Sequence, residues 1–217
     1  MPDPIALYYW PTPNGWKISI ALEEMNLPYE VNLIDISAGD QFAPAFLDIA
    51  PNNRMPAITD PNGPDGTPVS LFESGAILLY LSEKSGKFGG NAPTEKARIT
   101  QWLMVQMGGL GPMFGQLGYF SKFAGAQIED PRPRQRYVDE GKRLLAVLEA
   151  ELSTRDWIAG EYSIADMAIA PWLRALDFYG VKDTLGWDNH PALIAYLERF
   201  LARPAVQVGL NVPDRDG

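Results

Sequence analysis

Three short segments bring together residue types able to hold a small charged peptide and activate a thiol. The first is Trp10-Pro11-Thr12-Pro13-Asn14-Gly15, a polar turn between an apolar run and a helical pattern. Helix N-termini attract anions through unsatisfied N–H groups and an aligned dipole, so such a turn can favour a bound thiolate. Lowering a thiol pKa from about 8.5 to about 7 takes roughly 2 kcal/mol of preferential thiolate stabilisation. An exposed helix dipole supplies only about 0.3 to 1 kcal/mol. A hydrogen bond to a charged group is worth about 1.5 to 3 kcal/mol, so a side-chain donor such as Thr12 or Asn14 must carry most of the effect. Taken alone, the turn is also explained without a ligand, by Asn14 capping the helix while the prolines stiffen the chain.

The second segment is Arg54-Met55-Pro56, directly before a short apolar run. A cis Met55-Pro56 bond would turn the Met55 backbone toward an extended peptide, which could pair with it like an added strand; most such bonds are trans. The third is Phe72-Glu73-Ser74 at a strand-to-helix junction. There Ser74 and the helix amides can hold a carboxylate while Glu73 holds an ammonium, together fitting the amino-acid end of a small zwitterionic peptide. A serine cap with an acidic neighbour accounts for the same residues.

Other chemistries find few residues to work with. The 217 residues include no cysteine, so any thiol must be borrowed, and the single histidine, His190, makes a zinc site improbable. His190 precedes Pro191 and is read as a capping or packing residue. No Gly-x-Ser-x-Gly elbow occurs, and Gly108-Gly109-Leu110-Gly111 lacks the preceding strand of a dinucleotide loop, so it is read as a kink or a close helix contact. With 27 acidic against 18 basic residues and a net charge of -9, nucleic acid would be repelled. The start Met1-Pro2-Asp3-Pro4 has neither the basic patch nor the apolar run of a signal peptide, and no later run is long enough to span a bilayer. The expectation is therefore a cytoplasmic protein with no nucleic-acid or membrane partner and no metal.

The elements that must position these segments read in order. Ile5 to Trp10 is a buried strand, and Ile18, Ala21, Leu22 and Met25 form a helix face before Asn26 and Pro28 break it. Tyr29 to Asp35 alternates like a strand with one packed face, completing a βαβ opening. A short helical piece from Ala43 to Ile49 leads to strands Ala57 to Thr59 and Val69 to Phe72, an antiparallel pair across an exposed turn from Asp60 to Pro68. Ser74 caps a helix ending near Gly86. From Thr94 only helices are predicted: Ile99 past Met107, Arg134 to Leu152 with the stripe Leu144, Leu145, Leu148 and Leu152, Ile164 to Phe178, and Pro191 to Leu201. Residues 1–88 form an α/β domain and 94–217 an all-helical one, joined by a Gly/Asn/Pro-rich linker, with a mobile tail from Asn211 to Gly217.

Tyr9-Trp10-Pro11-Thr12-Pro13-Asn14-Gly15, Pro51-Asn52-Asn53-Arg54-Met55-Pro56-Ala57-Ile58 and Leu71-Phe72-Glu73-Ser74-Gly75-Ala76-Ile77, in that order, resemble the bacterial Nu-class glutathione transferases. Gly108-Gly109-Leu110-Gly111-Pro112-Met113 and Tyr162-Ser163-Ile164-Ala165-Asp166 extend the likeness over nearly the whole chain. The resemblance implies a thioredoxin-like N-terminal domain that binds glutathione as co-substrate and a helical C-terminal domain for the second substrate. It implies a glutathione sulfur near Thr12 and Asn14, a glycyl end near Gln41 and Arg54, backbone pairing at Met55, and a γ-glutamyl end held by Glu73 and Ser74. Arg136 resembles an arginine that reaches the ligand from the helical domain, and Ser163 with Asp166 reads as a capping pair without chemistry. A homodimer is implied too. The activity implied is reduction of disulfides by glutathione, or transfer to a small electrophile. The alternatives are cleavage of aryl ether bonds or a non-catalytic regulatory protein of the same fold.

Overall fold

The computed structural model describes residues 3–213 and divides into two compact units, one built from residues up to Gly89 with those from Arg203 onward, the other from Gly90 to Ala202. In the first unit, β1 (Ile5–Tyr9) leads into α1 (Pro13–Met25) and back through β2 (Tyr29–Leu33), which pairs parallel with β1. After α2 (Pro44–Leu47), β3 (Ala57–Asp60) runs antiparallel to β1, and β4 (Val69–Phe72) antiparallel to β3, giving the order β2-β1-β3-β4. The helix α3 (Ser74–Ser85) closes the unit's first pass at Gly86, whose φ of 68° suits a glycine cap. This is the expected α/β architecture. The alternation of β2 is looser than its sequence suggests, since β2 is an edge strand and Leu33 is exposed.

One departure concerns α1. Its sequence shows one apolar face, yet Lys17, Ile18, Ser19, Ile20, Ala21 and Leu22 are all buried in succession. The last helix, α10 (Pro204–Leu210), lies against α1 so closely that a Cβ on Gly209 would stand 2.7 Å from the Ile20 Cα. Ser19 Oγ donates to the Gly209 carbonyl at 2.6 Å, and Arg203 pairs with the Glu24 carboxylate at 2.6 Å. The expected helical domain of 94–217 is corrected here: the stretch from Arg203 packs with the first unit, because Gly209 lets two backbones approach. Of the tail expected to be mobile, residues 214–217 lie outside the described residues, and Asn211 sits at the end of α10.

The second unit is helical throughout: α4 (Pro93–Val105), α5 (Gly111–Lys122), α6 (Pro131–Leu152), α7 (Ile164–Tyr179), α8 (Lys182–Leu185) and α9 (Pro191–Leu201). Leu144, Leu145, Leu148 and Leu152 are buried along α6 as their spacing predicts. Between α4 and α5 the chain makes a π-helical turn, Gln106–Leu110, and a Cβ on Gly111 would stand 2.7 Å from Gln106 Nε2 and 3.5 Å from the Trp172 ring. The glycine cluster is thus both a helix irregularity and a close contact. Helix α7 opens with the capping box Ser163/Asp166, in which Asp166 accepts from the Ser163 N–H at 2.9 Å and from the Ile158 N–H at 3.0 Å. His190 occupies the cap position of α9 but makes no side-chain capping bond; the Glu149 carboxylate accepts the Ala192 and Leu193 N–H groups instead.

Candidate functional site

The chain leaves β1 and turns within three residues into α1, with the Thr12 N–H donating to the Trp10 carbonyl at 2.8 Å. Pro13 takes the first helical position, where its missing N–H costs nothing, so the cap falls on Thr12 rather than on Asn14 as expected. Thr12 Oγ1 accepts the Gly15 N–H at 3.3 Å. Asn14 lies in the first helical turn, half-buried. The approach of helix to strand is tight at Gly15, where a Cβ would stand 2.1 Å from the Trp10 carbonyl oxygen and 3.0 Å from the Tyr9 ring.

The Met55 loop comes to the same place. Thr12 Oγ1 donates to Met55 Sδ at 3.7 Å, joining two segments that are 43 residues apart in sequence. The Met55-Pro56 bond is cis, the less common form for X-Pro. Arg54 is exposed, and among the described residues it has no hydrogen-bonding or ion-pair partner. Gln41, in a short 3₁₀ turn Asp40–Phe42, is half-buried with its Oε1 shielded from water and accepting no hydrogen bond among the described residues. A buried acceptor left in that state calls for a donor.

At the third segment the cap position belongs to Glu73, and Ser74 is the first residue of α3, correcting the expectation that Ser74 caps. Glu73 has φ 72° and ψ 110°, a left-handed backbone for a side chain that is neither glycine nor asparagine. Conformations of this kind cost about 1 to 3 kcal/mol and gather at functional sites. The Glu73 side chain is exposed, whereas Ser74 is buried and its Oγ accepts a 3.3 Å hydrogen bond from Lys17 Nζ. Sequence reasoning passed over Lys17. Burial pulls its pKa well below the usual lysine value, and the Glu73 carboxylate works against that.

Thr12, Asn14, Gln41, Arg54, Met55, Glu73 and Ser74 all belong to the first unit. Arg136 belongs to the second, exposed on α6, where it lines an open cleft of about 680 Å³ with Gly108, Gly109, Met113, Tyr137 and Arg143. Among the described residues no group of three or more His, Cys, Asp or Glu side chains is arranged to hold a metal ion. No helix among them is long and apolar enough to cross a membrane.

The glutathione S-transferase N-terminal domain model matches residues 3–83, and the C-terminal domain model of the same family matches residues 114–204. Over 203 residues the chain is 46% identical to the disulfide-bond oxidoreductase YfcG of Escherichia coli K12, covering 93% of this chain and 92% of that protein. A solved glutathione transferase family member from Pseudomonas fluorescens Pf-5, with two glutathione bound, matches with a TM-score of 0.96 and 52% identity over 98% of this chain and 95% of its own. A Pseudomonas putida glutathione transferase with one glutathione disulfide bound per subunit matches equally, with a TM-score of 0.96 and 52% identity, over 97% and 92%.

Proposed function

The chain belongs to the glutathione S-transferase family, and from that premise we propose that it is a glutathione-dependent disulfide reductase and transferase whose first unit binds glutathione and whose helical unit serves the second substrate. The observation that carries the reading is the meeting of the α1 N-terminus with the Met55 loop, through the 3.7 Å contact from Thr12 to Met55. A ligand sulfur at this helix terminus would lie beside a segment suited to pair with a peptide backbone.

Glutathione supplies the sulfur nucleophile: its thiolate attacks one sulfur of a disulfide, the other leaves as a thiolate, and a second glutathione completes the exchange. The protein's part is to bind, orient and lower the thiol pKa. Thr12 and Asn14 supply the donors at the helix terminus that hold negative charge on the sulfur. Arg54 and the buried Gln41 Oε1 take the glycyl end, the first through charge and the second by accepting a hydrogen bond. Glu73 meets the γ-glutamyl ammonium and Ser74 its carboxylate. Arg136 joins the glutathione contacts on sequence position alone. With no cysteine in the chain, every sulfur of each exchange comes from outside it.

The same reading places the protein in the Nu class, in the cytoplasm and as a homodimer. Its test is the rate at which glutathione reduces a small model disulfide, followed by coupled oxidation of a nicotinamide cofactor, with wild type and Asn14→Ala side by side. The expected result is a rate well above the uncatalysed reaction that falls by roughly 10-fold or more in the variant, the worth of one hydrogen bond to a charged atom. No rate above background would overturn the reductase assignment.

A further inference from the structure

Lys17 sits on α1 one turn beyond Asn14, is 1% exposed, and reaches out of the helix to the β4–α3 junction, where its Nζ stands 3.3 Å from Ser74 Oγ. A buried lysine is costly unless a hydrogen bond or an opposite charge compensates it. Lys17 has both, the Ser74 oxygen and the attraction of Glu73. An apolar side chain would pack more cheaply here, so a lysine at this position points to a use for its amine.

The electrostatics of the proposed γ-glutamyl end supply that need. Glu73 suits the ligand's ammonium, but its negative charge repels the α-carboxylate bonded to the same carbon. Burial holds the Lys17 pKa down, and a carboxylate arriving beside Ser74 favours its protonated form, whose charge offsets that repulsion on the carboxylate side and leaves Glu73 facing the ammonium. Once protonated, the Lys17 amine can only donate, so it also fixes Ser74 as the acceptor of their bond and sets where the hydroxyl oxygen lies. We propose that Lys17 is a positioning residue for the ligand's α-carboxylate, holding Ser74 in place and balancing Glu73 so that this end of the site takes a zwitterion and not a lone cation. The inference rests on the reading of Glu73 and Ser74 as the γ-glutamyl subsite.

The test pairs protein variants with ligand variants. Calorimetric titration would compare glutathione with its analogue carrying a 4-aminobutyryl group, which lacks the α-carboxylate, and with the glutaryl analogue, which lacks the ammonium. Wild type is expected to lose roughly 10- to 100-fold in affinity when the carboxylate is removed. Lys17→Met should lose less than about threefold on the same change, Lys17→Arg should restore most of the discrimination, and both should discriminate against the glutaryl analogue as wild type does. If Lys17→Met distinguishes the carboxylate as strongly as wild type, the positioning role is overturned while the subsite reading stands. If wild type itself ignores both deletions, the subsite reading falls and Lys17 with it. Should Lys17→Met not fold, the Lys17 side-chain ¹⁵N resonance of wild type, assigned through Lys17→Arg, decides: a shift with glutathione that is absent with the 4-aminobutyryl analogue supports the role, and equal shifts overturn it.

Discussion

The Thr12 hydroxyl stands 3.7 Å from the Met55 sulfur while accepting the Gly15 N–H at 3.3 Å, so one side chain both starts α1 and touches the loop that is read as the ligand's backbone partner. Capping and chemistry are therefore coupled at Thr12. Thr12→Val keeps the shape and removes the hydroxyl. Losing a cap of this type costs about 1 kcal/mol of stability, and losing a donor to a thiolate costs about 1.5 to 3 kcal/mol of its stabilisation. The expected outcome is a modest drop in melting temperature with a rise in bound-thiol pKa of about one unit or more, read from the ultraviolet absorbance of the thiolate against pH. Thr12→Ser should restore both. An unchanged thiol pKa in Thr12→Val would move the donor role to Asn14.

Gly15 is required by space and not by its backbone angle. A methyl there would stand 2.1 Å from the Trp10 carbonyl, a fixed backbone atom, so α1 would have to move away from β1. Gly15→Ala is expected to lose about 2 kcal/mol or more in denaturant unfolding and to weaken glutathione binding along with it, since the displaced helix carries Thr12 and Asn14. Normal stability with normal binding would show that the turn yields without cost.

At Glu73 the backbone and the side chain can be separated. With φ at 72°, glycine should be better tolerated than alanine, the reverse of their ordinary order inside helices and strands. Both substitutions remove the carboxylate equally, so any difference between them belongs to the backbone. Glu73→Gly is expected to be more stable than Glu73→Ala by about 1 kcal/mol, while both bind glutathione comparably weakly. Alanine proving the more stable would mean that this conformation carries no strain.

Much of this site is legible along the chain, because short motifs at element junctions depend on local backbone rules: Pro at the first helical position, a small residue where helix meets strand, and a polar residue at each turn. Asn14 and Ser74 show the limit of such rules. Both are good cap residues, yet Pro13 draws the start of α1 back to Thr12, and Glu73 occupies the position before Ser74, so each cap falls one or two residues earlier. What could not be read locally depends on distant partners. Lys17 looks like a solvated charge until α3 and α10 are seen to close around α1, and its partners Glu73 and Ser74 lie 56 and 57 residues away. Asp60 reads as the start of an exposed loop, but it is fully buried at the end of β3, accepting from Tyr80 at 2.6 Å and pairing with Lys84 at 2.8 Å. The place of α10 is a similar case: seven residues with a glycine near their end give no local sign that the glycine will sit on Ile20.

In the helical unit the capping box makes its own prediction. Asp166 is fully buried, and burial pushes its carboxyl up to about 6 even though the Ile158 N–H, the Ser163 N–H and the Ser163 and Tyr196 hydroxyls favour its charged form. A carboxyl with a folded pKa above its unfolded value binds its proton more tightly in the native state. The stability it contributes is fully present below about pH 3.8 and is lost as pH rises through about 6, for a total of roughly 3 kcal/mol. Other carboxylates titrate over the same range, so the measurement must be a difference. Unfolding free energies of wild type and Asp166→Asn, compared between about pH 4 and pH 7.5, cancel the shared groups. The advantage of wild type should shrink steadily across that range, by an amount on the order of 2 to 3 kcal/mol. A difference that stays flat would mean that these hydrogen bonds cancel the cost of burial; one that grows with pH would mean that they outweigh it, with Asp166 ionised throughout and anchoring α7 as an anion.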